Sequence, residues 1–479
     1  MASVRTRLAP SPTGDPHIGT LFQALFDYVY AKKHQGQFIV RIEDTDKTRQ
    51  TPGAEKAIFQ ALDWLGLTPD ESPQHGGQYG PYRQSERLQI YKQQAQKLVD
   101  LGHAYYCFCS QARLDKLRKS QQKSGQPPMY DKKCRSLNPK TAKQRAQAGP
   151  HVIRMKIPAK QTIKVHDLLR GQISFDSRIL DDQVLLKSDG FPTYHLAVVV
   201  DDHLMKITHM VRGEEWLSSA PKHVLLYQYF NWQPPQFIHT PLLRNPDRSK
   251  LSKRHGHASV DWYIKQGYLP EAVINFLATR VWNHPQAKEV FGLQDLIKHF
   301  TFEAMHTQGP IADIDKLNWL NGQWIRKLPD KTILKRLTAF KPKDLSSAQL
   351  KLIWPLIKQR IEHLSQLKDL TEYFVKSPQP DTKLLLKESN LTPQKTADYL
   401  KQVSDVIKKT SPWSVKTLEA DLHQLQEKSG LKPRPAFMTI RLAVTGRPAT
   451  PPLFDTLQII GKSEIIKRLT HVQTSLHQA

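Results

Sequence analysis

Arg7-Leu-Ala-Pro-Ser-Pro-Thr-Gly-Asp-Pro-His-Ile-Gly-Thr20 opens as a short strand, passes through a Pro- and Gly-punctuated turn, and enters a helix. The helix is expected to start near Thr20, because Leu21, Ala24, Leu25, Tyr28 and Val29 recur at helical spacing. A loop that ends at a helix N-terminus offers unpaired N–H groups and the positive end of the helix dipole to an anion. His17 and Gly19 let an imidazole and bare backbone approach that same anion, so the stretch reads as a nucleotide cradle. Outward from it, Gln37-Phe-Ile-Val-Arg-Ile42 reads as a buried strand that ends in Glu43-Asp44-Thr45-Asp46, acids able to hold a cation or an ammonium. Helices follow over Gly53 to Leu65 and, behind a Ser85 N-cap, over Ser85 to Leu101. This alternation of strand and helix predicts a parallel sheet of the doubly wound kind, with ligands at the C-terminal ends of its strands.

From about residue 103 the pattern changes. Ala104 to Ser110 alternates as a strand, which places Cys107 and Cys109 on one face. Between Gln111 and Arg145 there are 11 Lys and Arg against two acids, with Tyr130 and Cys134 among them. Antiparallel strands are expected at Val152 to Ile157, Gln172 to Leu180 and Gln183 to Leu186. The segment therefore reads as an inserted α+β domain. Its three cysteines are too few for a disulfide framework, and Cys-x-Cys with Tyr-x-x-x-Cys supplies three tetrahedral zinc positions, the fourth falling to Tyr130 or to His103. Strand character is expected to return at Tyr194 to His203 and at Ile207 to Arg212, before a compact basic loop, Ser249-Lys-Leu-Ser-Lys-Arg-His-Gly256, able to wrap a triphosphate.

Beyond residue 260 nearly every segment has helical spacing: Pro270 to Leu277, Gly292 to His299, Asp315 to Trp324, Leu350 to Leu367, Thr392 to Ile407, Ser414 to Lys428 and Ser463 to Thr470. The expected organisation is a first half-sheet over 1–102, the insertion over 103–190, a second half-sheet over 191–245, a stem-contact region with the lysine loop over 246–330, and a helical domain over 331–479. The whole chain has 479 residues and a formal net charge of +26, and Lys331 onward holds 25 Lys and Arg against 13 acids. Such an excess at both ends favours a polyanion, with nucleic acid first. No apolar run approaches membrane-spanning length and no signal peptide is evident, so a soluble chain inside the cell is expected.

The ordered set Arg7 to Gly14 with His17-Ile-Gly-Thr20, Arg41-Ile-Glu-Asp-Thr-Asp46, Phe191-Pro-Thr-Tyr-His with Val200-Asp-Asp-His, Arg212-Gly-Glu-Glu-Trp and Lys250-Leu-Ser-Lys-Arg254 resembles the bacterial glutamyl-tRNA synthetases, a class I family. The resemblance runs on through Lys316-Leu-Asn-Trp-Leu-Asn321 and, more weakly, into the helical part. It implies a Rossmann-like catalytic sheet, an insertion that receives the tRNA acceptor end, and an all-α anticodon-binding half. It also implies tRNA(Glu), L-glutamate and ATP as partners, Mg²⁺ on the phosphates, a monomeric cytoplasmic ligase, and a glutamyl-adenylate passed to the terminal ribose; charging of tRNA(Gln) as well stays open.

Carried over by motif, His17, Gly19, Thr20, Lys250 and Lys253 would be catalytic, and Pro16, Leu251, Ser252 and Arg254 would complete the ATP site. Arg7 and Tyr194 would face the glutamate side-chain carboxylate, Arg212 its α-carboxylate, and Glu43, Ser11 and the Ala9 backbone its ammonium. The family pattern sometimes has Asn where this chain has Val198, so the contact that Asn makes is not expected here. A small-metabolite nucleotidyltransferase would share both loops but would need neither the charge nor the helical half.

Overall fold

The computed structural model describes residues 3–249, 251 and 256–477. The chain forms two compact units, Met1–Ile264 with Pro270–Leu317, and Lys265–Leu269 with Asn318–Ala479. In the first unit β1 (Arg5–Leu8), β2 (Gln37–Val40), β3 (Ala104–Cys107), β4 (Val152–Met155), β5 (Thr162–Asp167), β6 (Gly171–Asp176), β7 (Val184–Leu186), β8 (His209–Gly213) and β9 (Gln236–Thr240) build two sheets. The larger has the order β2-β1-β8-β9-β5-β6, and all its pairings are parallel except β5 with β6. The smaller, β3-β4-β7, is antiparallel.

The opening stretch is a strand, turn and helix, but the helix runs over Ile18–Lys33 with His17 itself as N-cap. The His17 imidazole Nδ1 accepts the Gly19 N–H at 3.0 Å, so the cap is made by the residue expected to meet the anion. Ser85 is not a helix cap, because a 3₁₀ turn over Gln84–Arg87 comes first and the α-helix is Leu88–Asp100.

The expected strand at Tyr194 to His203 is instead a helix, Tyr194–Leu204. Leu196 through Val200 are all 0% exposed, wedged between the helices Leu88–Asp100 and Ala220–Phe230. A helix buried all round has no polar stripe, and its β-branched apolar run mimics a buried strand. Strands β5 and β9 fell outside the expected set, and β6 stops at Asp176 rather than at Leu180. Because β5 pairs with β9, the hairpin β5–β6 extends the main sheet, although it lies inside the segment expected to be a separate insertion. One core also joins them: Ile153, Met155, Val165 and Leu185 pack with Leu196 to Val200 and Leu225.

The second unit is helical among its described residues, with a core of Leu400, Val403, Leu418, Ile440, Leu457 and Leu469. The helix expected over Leu350 to Leu367 is two, Ser347–Ile357 and Leu367–Val375, separated by a 3₁₀ turn. Helices over Asp330–Leu337, Thr382–Ser389, Pro433–Thr445 and Leu453–Ile460 were not foreseen. No helix among the described residues is long and apolar enough to cross a membrane.

Candidate active site

Five parallel strands end on one side of the main sheet, and each delivers a polar side chain there: Arg7 in β1, Glu43 just beyond β2, Arg212 in β8, His239 in β9 and Asp167 in β5. Open α/β sheets place ligands at this edge, where helix N-termini and strand ends leave a crevice. A cavity of about 520 Å³ sits here, and Arg7, Ala9, Ser11, Glu43, Tyr194 and Arg212 all line it. The six positions expected to hold an amino acid are thus brought together.

At one end of the cavity the charges are paired internally. Arg7 donates through Nε to both Asp202 carboxylate oxygens at 3.2 Å and through Nη1 to the Val211 carbonyl at 3.0 Å. Arg41 donates to Asp202 at 2.5 Å and to Glu43 at 3.0 Å. Neighbouring Asp201 accepts from Arg87 at 2.7 Å, from Gln84 at 2.9 Å and from the Tyr91 hydroxyl at 2.7 Å. Burial pushes the Asp202 carboxyl up, but Arg7 and Arg41 beside it hold the net value below the usual range. Burial raises Glu43 despite Arg41, and raises Asp27, whose carboxyl oxygens are buried without a hydrogen bond.

At the other end Arg212 has no carboxylate partner among the described residues. Its Nε donates to His239 Nε2 at 3.0 Å, and its Nη1 donates to the Tyr194 hydroxyl and to His223 Nδ1, each at 3.1 Å. Nη2 is buried without a hydrogen bond among the described residues. The bond to Tyr194 groups two residues that the motif reading assigned to different carboxylates of the ligand. Trp216, not foreseen, lies 4.3 Å from the Tyr194 ring centroid and also lines the cavity.

A second cavity, of about 430 Å³, shares Thr20 and Gln23 with the first and is lined by His17, Gly19 and Leu251 as well. A Cβ on Gly19 would stand 3.1 Å from His17 Nδ1, so the cap is compact because residue 19 has no side chain. The Pro16 carbonyl accepts the Val260 N–H at 3.1 Å, and His17 forms a β-bridge with Ser259. The chain just beyond the basic loop is therefore pinned to the first loop. Lys250, Ser252, Lys253 and Arg254 lie outside the described residues.

In the insertion the thiols of Cys107, Cys109 and Cys134 cluster. The Tyr130 hydroxyl lies 3.3 Å from Cys107 Sγ and 3.4 Å from Cys109 Sγ, and Cys109 and Cys134 are 3.6 Å apart. A tetrahedral zinc with metal–sulfur bonds of about 2.3 Å spaces its sulfurs by roughly 3.8 Å, so the donor set fits that ion. The Tyr130 oxygen also accepts the Cys134 N–H at 3.0 Å, which orients it. His103 stacks on Tyr229 instead and is not part of the cluster.

A family profile described as tRNA synthetases class I (E and Q), catalytic domain, matches residues 3–319, and one described as anticodon binding domain matches residues 328–473. The chain belongs to this class I tRNA synthetase family. Among its relatives, the glutamate–tRNA ligase of Acidothermus cellulolyticus is 44% identical over 98% of this chain and 95% of its own length. That of a Marinomonas species is 46% identical over 96% and 93%. A crystal structure of the glutamate tRNA ligase from Elizabethkingia meningosepticum in complex with its amino acid superposes with a TM-score of 0.89 at 35% identity, covering 99% of this chain and all of that one.

Proposed function

We infer that the chain is a glutamate–tRNA ligase, joining L-glutamate to tRNA(Glu) with ATP as co-substrate. The observation that carries this reading is the pair of adjoining cavities, one cationic and one at a capped helix N-terminus, sharing Thr20 and Gln23. Glutamate occupies the first. Arg7, Tyr194 and Arg212 meet carboxylate oxygens, and Glu43 with Ser11 and the Ala9 backbone receives the ammonium. Because Arg212 and Tyr194 are hydrogen-bonded to each other, a ligand oxygen that reaches one is within range of the other.

ATP occupies the second cavity, with its phosphates at Gly19, Thr20 and the His17 cap. An α-carboxylate oxygen of glutamate attacks the α-phosphorus, the bond to the β-phosphate oxygen breaks, and pyrophosphate leaves with the electron pair. The terminal ribose hydroxyl of the tRNA then attacks the adenylate carbonyl, losing its proton, and AMP departs. No protein group is covalently modified, so the chain contributes position and charge stabilisation. Lys250 and Lys253 serve the departing pyrophosphate, and Mg²⁺, when bound, neutralises phosphate charge. The insertion takes the acceptor end, and the helical unit reads unstacked anticodon bases. Cys107, Cys109, Tyr130 and Cys134 would hold a structural zinc, whose role there would be to fix the insertion's fold.

The test is glutamate-dependent exchange of pyrophosphate into ATP with purified tRNA(Glu) present, followed by aminoacylation of that tRNA. Exchange with glutamate and none with glutamine supports the reading. A protein that binds tRNA but shows no exchange with any amino acid refutes it.

A further inference from the structure

Arg can only donate hydrogen bonds, so each ring nitrogen that Arg212 touches must present a lone pair. His239 therefore accepts at Nε2 from the Arg212 Nε, and its proton sits on Nδ1, where Asp167 Oδ2 takes it at 2.6 Å. The same carboxylate oxygen accepts the His239 backbone N–H at 3.0 Å, and the other oxygen accepts the N–H groups of Leu169 at 2.9 Å and Arg170 at 3.0 Å. Asp167 cannot turn away from the ring. By the same logic His223 accepts at Nδ1 from Arg212, carries its proton on Nε2, and donates it to His195 Nδ1 at 3.1 Å.

We propose that Asp167, His239 and His223 are positioning residues for glutamate selection: they hold Arg212 through two neutral imidazoles in fixed tautomers, so that its Nη2 and its whole positive charge remain for the substrate. The proposal rests on the glutamate reading of the cavity. A carboxylate in place of either ring would hold the guanidinium equally well but would cancel the charge that an incoming carboxylate must find. Asp167, His223 and His239 are all buried, so water cannot supply the missing acceptor if a ring is lost. Burial, Arg212 and the neighbouring rings all disfavour a proton on His223, and burial lowers His239 in spite of Asp167, which agrees with two uncharged partners. Asp167 differs from the residues of the cavity wall because it acts only through His239.

Two amide variants separate positioning from simple packing. The side chain of His239→Gln reaches the Nε2 position and still offers an acceptor to Arg212, whereas His239→Asn reaches only the Nδ1 position and keeps the Asp167 bond alone. In pyrophosphate exchange with tRNA(Glu) present, His239→Asn should raise KM for glutamate by about tenfold to a hundredfold. KM for ATP should stay within about twofold, and His239→Gln should raise the glutamate KM by only a few-fold. Asp167→Asn, which lets the ring take the wrong tautomer, should resemble His239→Asn. Equal losses in the Gln and Asn variants, or a glutamate KM that moves no more than the ATP KM, would overturn the proposal. Absence of exchange in the unaltered protein would instead refute the glutamate reading. Thermal melts within a few degrees of the unaltered protein confirm that each variant is folded, and if His239→Asn fails this, the Asp167→Asn and His239→Gln pair decides.

Discussion

Arg7 and Arg212, at the two ends of the cavity, are held in opposite ways. Arg7 leans on a carboxylate, Asp202, which it shares with Arg41, while Arg212 leans on two imidazoles and a phenol. The first arrangement is close to charge-neutral and rigid; it offers direction but little field. The second keeps a net positive charge in a site with few competing acids. An amino acid with two carboxylates and one ammonium meets both kinds of support within about 520 Å³.

The largest expected consequence lies at the Arg7 end. Asp202→Ala removes the shared anion, leaving buried Arg7 without its carboxylate and Arg41 with Glu43 and Asp201 only, a change that costs about 3–5 kcal/mol of stability. Denaturant unfolding measures it, and a loss below about 1 kcal/mol would mean that Arg7 finds another anion when Asp202 is gone. Next in size, Arg7→Gln should narrow the glutamate-to-glutamine preference in activation by roughly a hundredfold, because glutamine no longer turns amide donors towards a cation. If the ratio is unchanged in a folded variant, discrimination belongs to the Arg212 end alone.

Acid should separate the ends further. His195 is pushed down to about 3 by burial first, and then by Lys222 and Arg212. A lowered histidine binds fewer protons folded than unfolded, so its contribution is present above about pH 6.5 and is lost as pH falls towards 3. Asp202, also lowered, begins to lose its contribution only below about pH 3.9, whereas Glu43 and Asp27, raised by burial, gain as pH falls. His195→Gln should therefore shed less stability than the unaltered chain between pH 6.5 and 5, by about 1.4 kcal/mol per pH unit. Parallel stability curves for the two would show that His195 does take up a proton in the folded state. The smallest effect is expected at Trp216→Ala, which strips one face of Tyr194 and should raise the glutamate KM about two- to fivefold. A larger rise would move Trp216 from wall to direct contact.

How much of this could be read from the chain depended on distance along it. The first loop was legible because Pro, Gly and a 3.6-residue period lie within one short stretch, and the same locality exposed Cys107, Cys109 and Cys134. Tyr194–Leu204 looks like a strand in the sequence because five consecutive buried apolar residues carry no period. Asp201 and Asp202 close an apolar run, and two acids in that place demand buried cations such as Arg7, Arg41 and Arg87. His239 stands 27 residues from Arg212 and 72 from Asp167, and no local pattern ties such residues together. Only the parallel register of β8, β9 and β5 brings them side by side.

The hairpin β5–β6 also sets how separable the parts of this chain are. Residues 103–190 look like a cassette that could be lifted out or exchanged between relatives, but β5 occupies an inner place in the main sheet and Asp167 stands at its end. A graft with those boundaries would take away a neighbour of β9 and the carboxylate that orients His239, leaving the host's amino-acid site without a prop it had not appeared to borrow. The workable seams lie inside the segment, before β5 and after β6. A recipient would therefore have to keep its own β5–β6 hairpin, and any exchanged part would still have to match the core that Ile153, Met155 and Leu185 share with Leu196 to Val200.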